Sequence, residues 1–328
     1  MKFVWQTILA CSLLVNVTAH AENDVDKTLE TLGLVAKQLN YDGIFSFQAG
    51  NKVQSIRIIH YADRQVEIER LISLNGVTRE VIRTNDMVTC VYPEGKPVQE
   101  NHRPLGRGFP TDLLRRLHAA SDYYHMSEGL EERVANHHTH ELVLQPIDNY
   151  RYGYILKVDK DSQLLLQATL INEVGDALET FAFSSVEMNI DIPKQLLEAE
   201  IQGNEMTWNR KEQMERRHTI AMGQKTSPWK LVWLPEGFEL VTQKSRFKAM
   251  NGAPVEQRVY SDGLSSISVF FEKIRAQHGH LHGRSFKGIV NAFGTIINNH
   301  FVTIVGEVPA MTVEKVATSI QYIDGENQ

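Results

Sequence analysis

The apolar positions fall first into a helical spacing and then, abruptly, into an alternating one. Over residues 23–40, "NDVDKTLETLGLVAKQLN", the residues Val25, Leu29, Leu32, Ala36 and Leu39 form one stripe, with acidic residues early. That pattern predicts an amphipathic helix. From residue 41 the period is two, and 43–48, 54–61, 66–71, 80–84 and 87–92 read as strands. Asn75-Gly76 and Asn85-Asp86 mark tight turns between them, so the order predicts an antiparallel meander and not a βαβ series. A polar stretch at 94–110 reads as a long surface loop. Behind it, Thr111 or Asp112 is expected to cap a short helix carrying Leu113, Leu114, Leu117 and Ala120. A second run of strands is expected over 142–190. Pro193 then opens a helix that Gly203 ends.

Between 204 and 226 both periods fail. "NEMTWNRKEQMERRHTIAMGQKTS" is dense in charge and reads as an interdomain linker. Beyond it, "WLPEGFELV" (233–241) is expected to be the first strand of a second, smaller set. Hairpins should turn at Ser261-Asp262-Gly263 and at Asn298-Asn299. A last helix, capped by Thr312, should bury Val313, Val316, Ala317 and Ile320. The predicted fold is mainly β with α+β character. A large half-open antiparallel barrel with helices on its concave face spans 22–203, and a small α+β domain spans 227–324.

The first 21 residues stand outside both patterns. Met1-Lys2, an apolar run too short to cross a bilayer, and Ala19-His20-Ala21 make a signal peptide for export, cleaved after Ala21. The rival reading, a lipoprotein box ending at Cys11, has few residues before it and a run broken by Gln6 and Thr7. Removing 1–21 leaves 33 basic against 40 acidic residues, because only Lys2 is lost from the 34 basic ones. That balance carries no footprint for nucleic acid. Cys90 is then the one remaining cysteine of two, so no internal disulfide is available and the fold stands on its core. It sits in the apolar run "MVTCVYP", as a buried, inert thiol would.

Candidate chemistry is sparse. His137-His138-x-His140 and His278-x-His280-x-His282 are clustered, but no carboxylate or cysteine at ligand spacing supports either, so no metal is assigned. Phosphate-binding and nucleophile-elbow motifs are missing, and no cofactor is expected. Glu131-Glu132 reads as a wet helix or loop. What the strands offer is an apolar inner face. Phe45, Phe47, Ile56, Ile58, Val88, Cys90, Tyr92, Tyr152, Tyr154 and Leu156 are the candidates for an acyl-chain cavity, with ordinary core packing as the competing reading. Tyr152 and Tyr154 stand out, since a buried tyrosine needs a partner for its hydroxyl.

The segments "WLPEGF" (233–238), "RVYSDGLSSISVFFE" (258–272) and "VTIVGEVPAMTVEKVATSI" (302–320) resemble the C-terminal domain of the RseB/MucB family of periplasmic sigma-E regulatory proteins. "LNYDGIFSF" (39–47), "REVIRTND" (79–86) and "YGYILKVDKDSQLLLQATLINEVGDALETFAF" (152–183) resemble its N-terminal domain in order and spacing. The loops at 94–110 and 276–284 and the histidine clusters depart from it. The resemblance implies a large domain of the LolA/LolB lipoprotein-carrier type. It implies a protein that is no enzyme and binds the periplasmic region of a membrane-spanning anti-sigma factor such as RseA or MucA. That binding would shield the partner from site-1 proteolysis until lipopolysaccharide or mislocalised lipoprotein acyl chains release it. Trp233, Phe238, Arg258, Tyr260 and Phe270 are the candidates for partner or interdomain contact, and self-association is left open. The alternatives are a lipid or lipoprotein carrier without a regulatory partner, and a hydrolase or metal protein built on the histidines.

Overall fold

A computed structural model describes residues 24–95, 108–210, 227–247, 254–274 and 281–323. The expected leader, most of the 94–110 loop, residues 211–226, His278 and His280 lie outside the described residues.

The apolar stripe of α1 (Asp24–Gln38) buries Leu29, Leu32 and Ala36. Each such leucine contributes about 1.5–3 kcal/mol. The meander follows as β1 (Tyr41–Ala49), β2 (Lys52–Ala62), β3 (Glu67–Ser73), β4 (Glu80–Thr84) and β5 (Met87–Pro93). After α2 (Thr111–Ala119) come β6 (Tyr124–Glu128), β7 (Glu132–Val134), β8 (His137–Pro146), β9 (Gly153–Asp159), β10 (Leu165–Ile171), β11 (Ala177–Met188) and β12 (Gly203–Asn209). All join one antiparallel sheet of 12 strands, ordered β12-β5-β4-β3-β2-β1-β11-β10-β9-β8-β6, with β7 on β8. The sheet wraps α1 and α2, and one core joins helical Leu29, Leu32, Leu114 and Leu117 to strand residues from Tyr41 to Val186.

The smaller domain begins with β13 (Trp229–Leu231), which pairs with the last strand, β20 (Ile320–Tyr322). Between them β14 (Glu239–Phe247), β15 (Pro254–Ser261), β16 (Ser266–Lys273), β17 (Gly283–Lys287), β18 (Val290–Ile297) and β19 (His300–Gly306) form a sheet of order β14-β15-β16-β19-β18-β17. Helix α3 (Ala310–Thr318) covers one face, over Ile267, Val269, Val302 and Ile304. Asn298 and Asn299, at φ 42° and 57°, make the hairpin turn with two left-handed residues that matches strand twist.

Several local expectations are corrected. Neither Thr111 nor Asp112 caps α2; Pro110 holds that position, and the Asp112 carboxylate is taken by Arg115, Arg116 and Arg210. Thr312 does not cap α3, which starts after Pro309. The helix expected from Pro193 to Gly203 is one 3-10 turn, Lys194–Leu197. Buried Glu80 accepts the N–H groups of Glu200 and Ile201 at 3.2 and 3.1 Å, and Arg70 donates to the Leu196 carbonyl at 3.0 Å. Those backbone groups are thus bonded across to β3 and β4 and cannot close a helix. The stretch read as linker opens with β12, which pairs along β5. The second run of strands starts at Tyr124 rather than at 142, and Glu132 lies on a strand, not on a helix or loop. Finally, residues 233–238 form a turn between β13 and β14 instead of a strand.

Candidate functional site: a hollow in the large sheet and a sealed domain junction

One cross-strand row runs over six strands: Gly43, Ile58, Leu71, Val81, Cys90 and Met206. Its inner end is packed solid under the helices. Ile58 is fully buried, and Gly43 leaves room for Phe183, whose ring a Cβ would strike at 2.8 Å. Its outer end opens into a cavity of about 220 Å³ walled by Leu71, Val81, Val88, Cys90, Tyr92, Met206 and Trp208. The mouth is polar: Arg83, Arg115 and Arg210 stand with Glu69 and Asp112. A more open pocket of about 360 Å³ adjoins it through Arg83, Asp112, Arg115 and Arg210, and adds Lys37 and Glu67. At the opposite end Arg79 and Tyr92 lead to a recess of about 670 Å³ beside Phe47, Val53 and Val77.

Charge at the mouth is compensated. Burial alone would raise the Asp112 carboxyl, but Arg115 and Arg210 hold it below its ordinary value. Burial would likewise lower the Arg83 guanidinium, and Glu69 and Glu67 raise it instead. Burial pushes the Cys90 thiol up, which leaves it protonated and unreactive.

The acyl-cavity candidates separate into three groups. Val88, Cys90 and Tyr92 line the hollow, and Phe47 lines the open recess. Phe45, Ile56, Ile58 and Leu156 are fully buried core. Phe45 is stopped by Phe109 at 5.2 Å and Phe183 at 5.7 Å between ring centres. Tyr152 and Tyr154 stand instead at the junction with the smaller domain, around a space of only about 30 Å³. Sequence reasoning missed Met206 and Trp208, although both alternate correctly on β12, because the charged residues after them mask that signal.

The junction is built mainly from residues 148–152, "DNYRY". Buried Arg151 donates from Nε to Asp262 at 2.9 Å, and to Asp148 and the Glu236 carbonyl. Its guanidinium lies 4.3 Å from the centre of the Tyr123 ring and 5.2 Å from that of Phe238. The Tyr152 hydroxyl accepts from Asn291 Nδ2 at 2.9 Å and donates to the Val308 carbonyl at 3.2 Å. Burial raises it to about 12, so it stays a donor throughout the ordinary pH range. Thr312 donates to the Tyr150 carbonyl at 3.0 Å. Lys315 binds the Tyr150 hydroxyl and lies 4.2 Å from the Trp233 ring centre. In return, Leu264 of the smaller domain sits in the core of the larger.

The 233–238 turn now has a physical reason. Gly237 takes φ 80°, and a Cβ there would fall on the Tyr123 ring. Of the other partner or interdomain candidates, Tyr260 is buried in the smaller core and Arg258 pairs with Glu256 at 2.8 Å across from Phe271. Phe270 is half-buried on the face of the sheet away from α3.

Asp26 accepts from Ser121 and meets His118, both at 2.9 Å, but the serine contacts the carboxylate and not the imidazole, so this is no nucleophile–base pair. No group of three or more His, Cys, Asp or Glu among them could hold a metal ion. Fold and site together define a two-domain binding protein with an amphipathic hollow in one domain and a polar junction to the other.

Two family models together match most of it. The MucB/RseB N-terminal domain covers residues 24–201 and the MucB/RseB C-terminal domain covers 223–321. The chain belongs to the MucB/RseB family. It is 26% identical to the sigma-E factor regulatory protein RseB of Escherichia coli K12, over 98% of this chain and 99% of that one. It resembles the solved complex of Pseudomonas aeruginosa MucA and MucB at 27% identity and a TM-score of 0.70, covering 92% of this chain and 100% of that one. Against a further crystal structure of MucB the TM-score is 0.54, at 25% identity over 92% of this chain and 99% of that one.

Proposed function

We propose that the chain is a periplasmic negative regulator of an envelope-stress sigma factor. It binds the periplasmic region of a membrane-spanning anti-sigma factor of the RseA/MucA kind and shields it from the first proteolytic cut. It is a regulator and not an enzyme. The observation that carries this reading is the similarity over both domains to a relative solved together with MucA. On the finer points, the large sheet wrapped around two helices serves as a LolA-type half-open barrel. Lipopolysaccharide or a mislocalised lipoprotein supplies an acyl chain to the hollow between β3–β5 and β12, with its polar head among the arginines of the mouth. The two ligands favour different states of the protein, so each lowers the affinity of the other by one factor.

A carrier without a partner would need only the large domain. The junction argues against that reading, since Leu264, Asp262 and the 233–238 turn are built into the larger domain's surface. Titration of the full chain with a synthetic periplasmic anti-sigma segment is the test. Binding at micromolar concentration or tighter, with slower proteolysis of the segment, is expected. No binding in that range sinks the proposal.

A further inference from the structure

We infer that residues 148–152 form a clasp that holds the two domains in the arrangement that accepts the anti-sigma segment, and that opening this clasp is the step that releases it. The inference rests on the proposed function above and adds the device that regulates it.

Three observations carry it. First, the contact is polar at its centre. Arg151 and Asp262 have side chains 1% and 0% exposed, and each is fully satisfied only while the domains touch. Separation exposes both to water, so the junction is a reversible latch and not a welded core.

Second, the clasp is mechanically continuous with the hollow. Helix α2 places Asp112 and Arg115 at the mouth of the cavity. The same helix places Leu113 beside Leu264, and Ala119 3.2 Å from where a Gly263 Cβ would stand. Leu264 and Gly263 flank the turn whose Asp262 grips Arg151, and that carboxylate also accepts the N–H groups of Leu264 and Ser265. An occupant that displaces α2 therefore presses on the turn that carries one half of the latch. Contact of this one helix with both the hollow and the turn provides the physical link between the sites.

Third, over 92% of its length the chain overlaps MucB in its complexes with MucA at TM-scores of 0.70 and 0.67, against 0.54 for a further crystal structure of MucB at nearly equal identity and coverage.

The test uses the full chain and two kinds of opening variant. Arg151→Met combined with Asp262→Asn removes the latch without leaving a buried charge. Gly237→Ala drives a methyl into the Tyr123 ring and wedges the junction apart with no charge change. Small-angle scattering reads the domain arrangement, near-UV circular dichroism reads the packing of each core, and titration with the anti-sigma segment reads affinity. Both variants are expected to keep their cores, to give a larger radius of gyration, and to bind the segment at least about tenfold more weakly. Tyr152→Phe and Thr312→Val, which each remove one hydroxyl, should weaken binding about two- to fivefold. If the opened variants bind as tightly as the unaltered chain, or if their scattering is unchanged, the clasp proposal is overturned while the functional reading stands. If the unaltered chain itself does not bind the segment, the functional reading falls and the release step falls with it.

Discussion

The two halves of the large sheet's inner face carry the same alternation and reach opposite outcomes. On β1, β2 and β11 the inward side chains meet a solid plug: Phe109 stacks on Phe181 at 5.5 Å and lies 5.2 Å from Phe45 and 5.5 Å from Phe183. On β3, β4, β5 and β12 the inward row is Leu71, Val81, Cys90 and Met206, residues smaller than phenylalanine with no aromatic plug among them and only Asp112 and Arg115 of α2 at the rim, and the result is a cavity. An apolar inward residue on a strand thus predicts burial. Whether it also predicts a ligand depends on what reaches it from the helical layer and on side-chain volume.

The largest way to break that contrast is to hollow the filled half. Phe109→Ala should cost about 3–5 kcal/mol, read from the urea midpoint, because its neighbours come from separate strands and cannot collapse into the gap. It should leave acyl binding in the other half in place. The reverse change is Cys90→Phe, which fills the existing hollow. Its cost in stability should be below about 1 kcal/mol, less than overpacking a closed core, while binding of a fluorescent fatty acid is abolished. Equal destabilisation by the two variants would mean that the halves do not differ.

The smallest effect is electrostatic. The Asp112 carboxyl titrates lower in the folded chain than in the unfolded one. Its contribution is therefore present above the unfolded value, near 4, and is lost as pH falls through the folded value. The urea midpoint should drop between about pH 4 and lower values, and in Asp112→Asn that part of the drop should be missing. A fall of equal size in both proteins would remove Asp112 from the account.

Much of the architecture was legible from period alone. The first helix, the five-strand meander and both C-terminal hairpins announce themselves in spacing and turn residues, because each is decided by local pattern. What was not legible depends on partners distant in sequence. The 194–202 segment reads as a helix until Glu80 and Arg70 claim its backbone. Strand β12 reads as linker until β5 supplies its ladder. The site divides the same way. Val88, Cys90 and Tyr92 were visible as an inward strand, whereas Arg151 and Asp262 carry no local signature and become a pair only across the junction. Tyr152, an acyl-cavity candidate by its position on the strand, finds the partners for its hydroxyl at the junction instead, in Asn291 and Val308 of the smaller domain.

The central claim is that the anti-sigma segment and an acyl amphiphile oppose each other on one chain. The most direct test titrates the full chain with the segment, alone and under saturating lipopolysaccharide, and then repeats the titration with the two ligands exchanged. The account predicts that each ligand weakens the other by the same factor, between about fivefold and 150-fold. Affinities that are unchanged in both directions would contradict it.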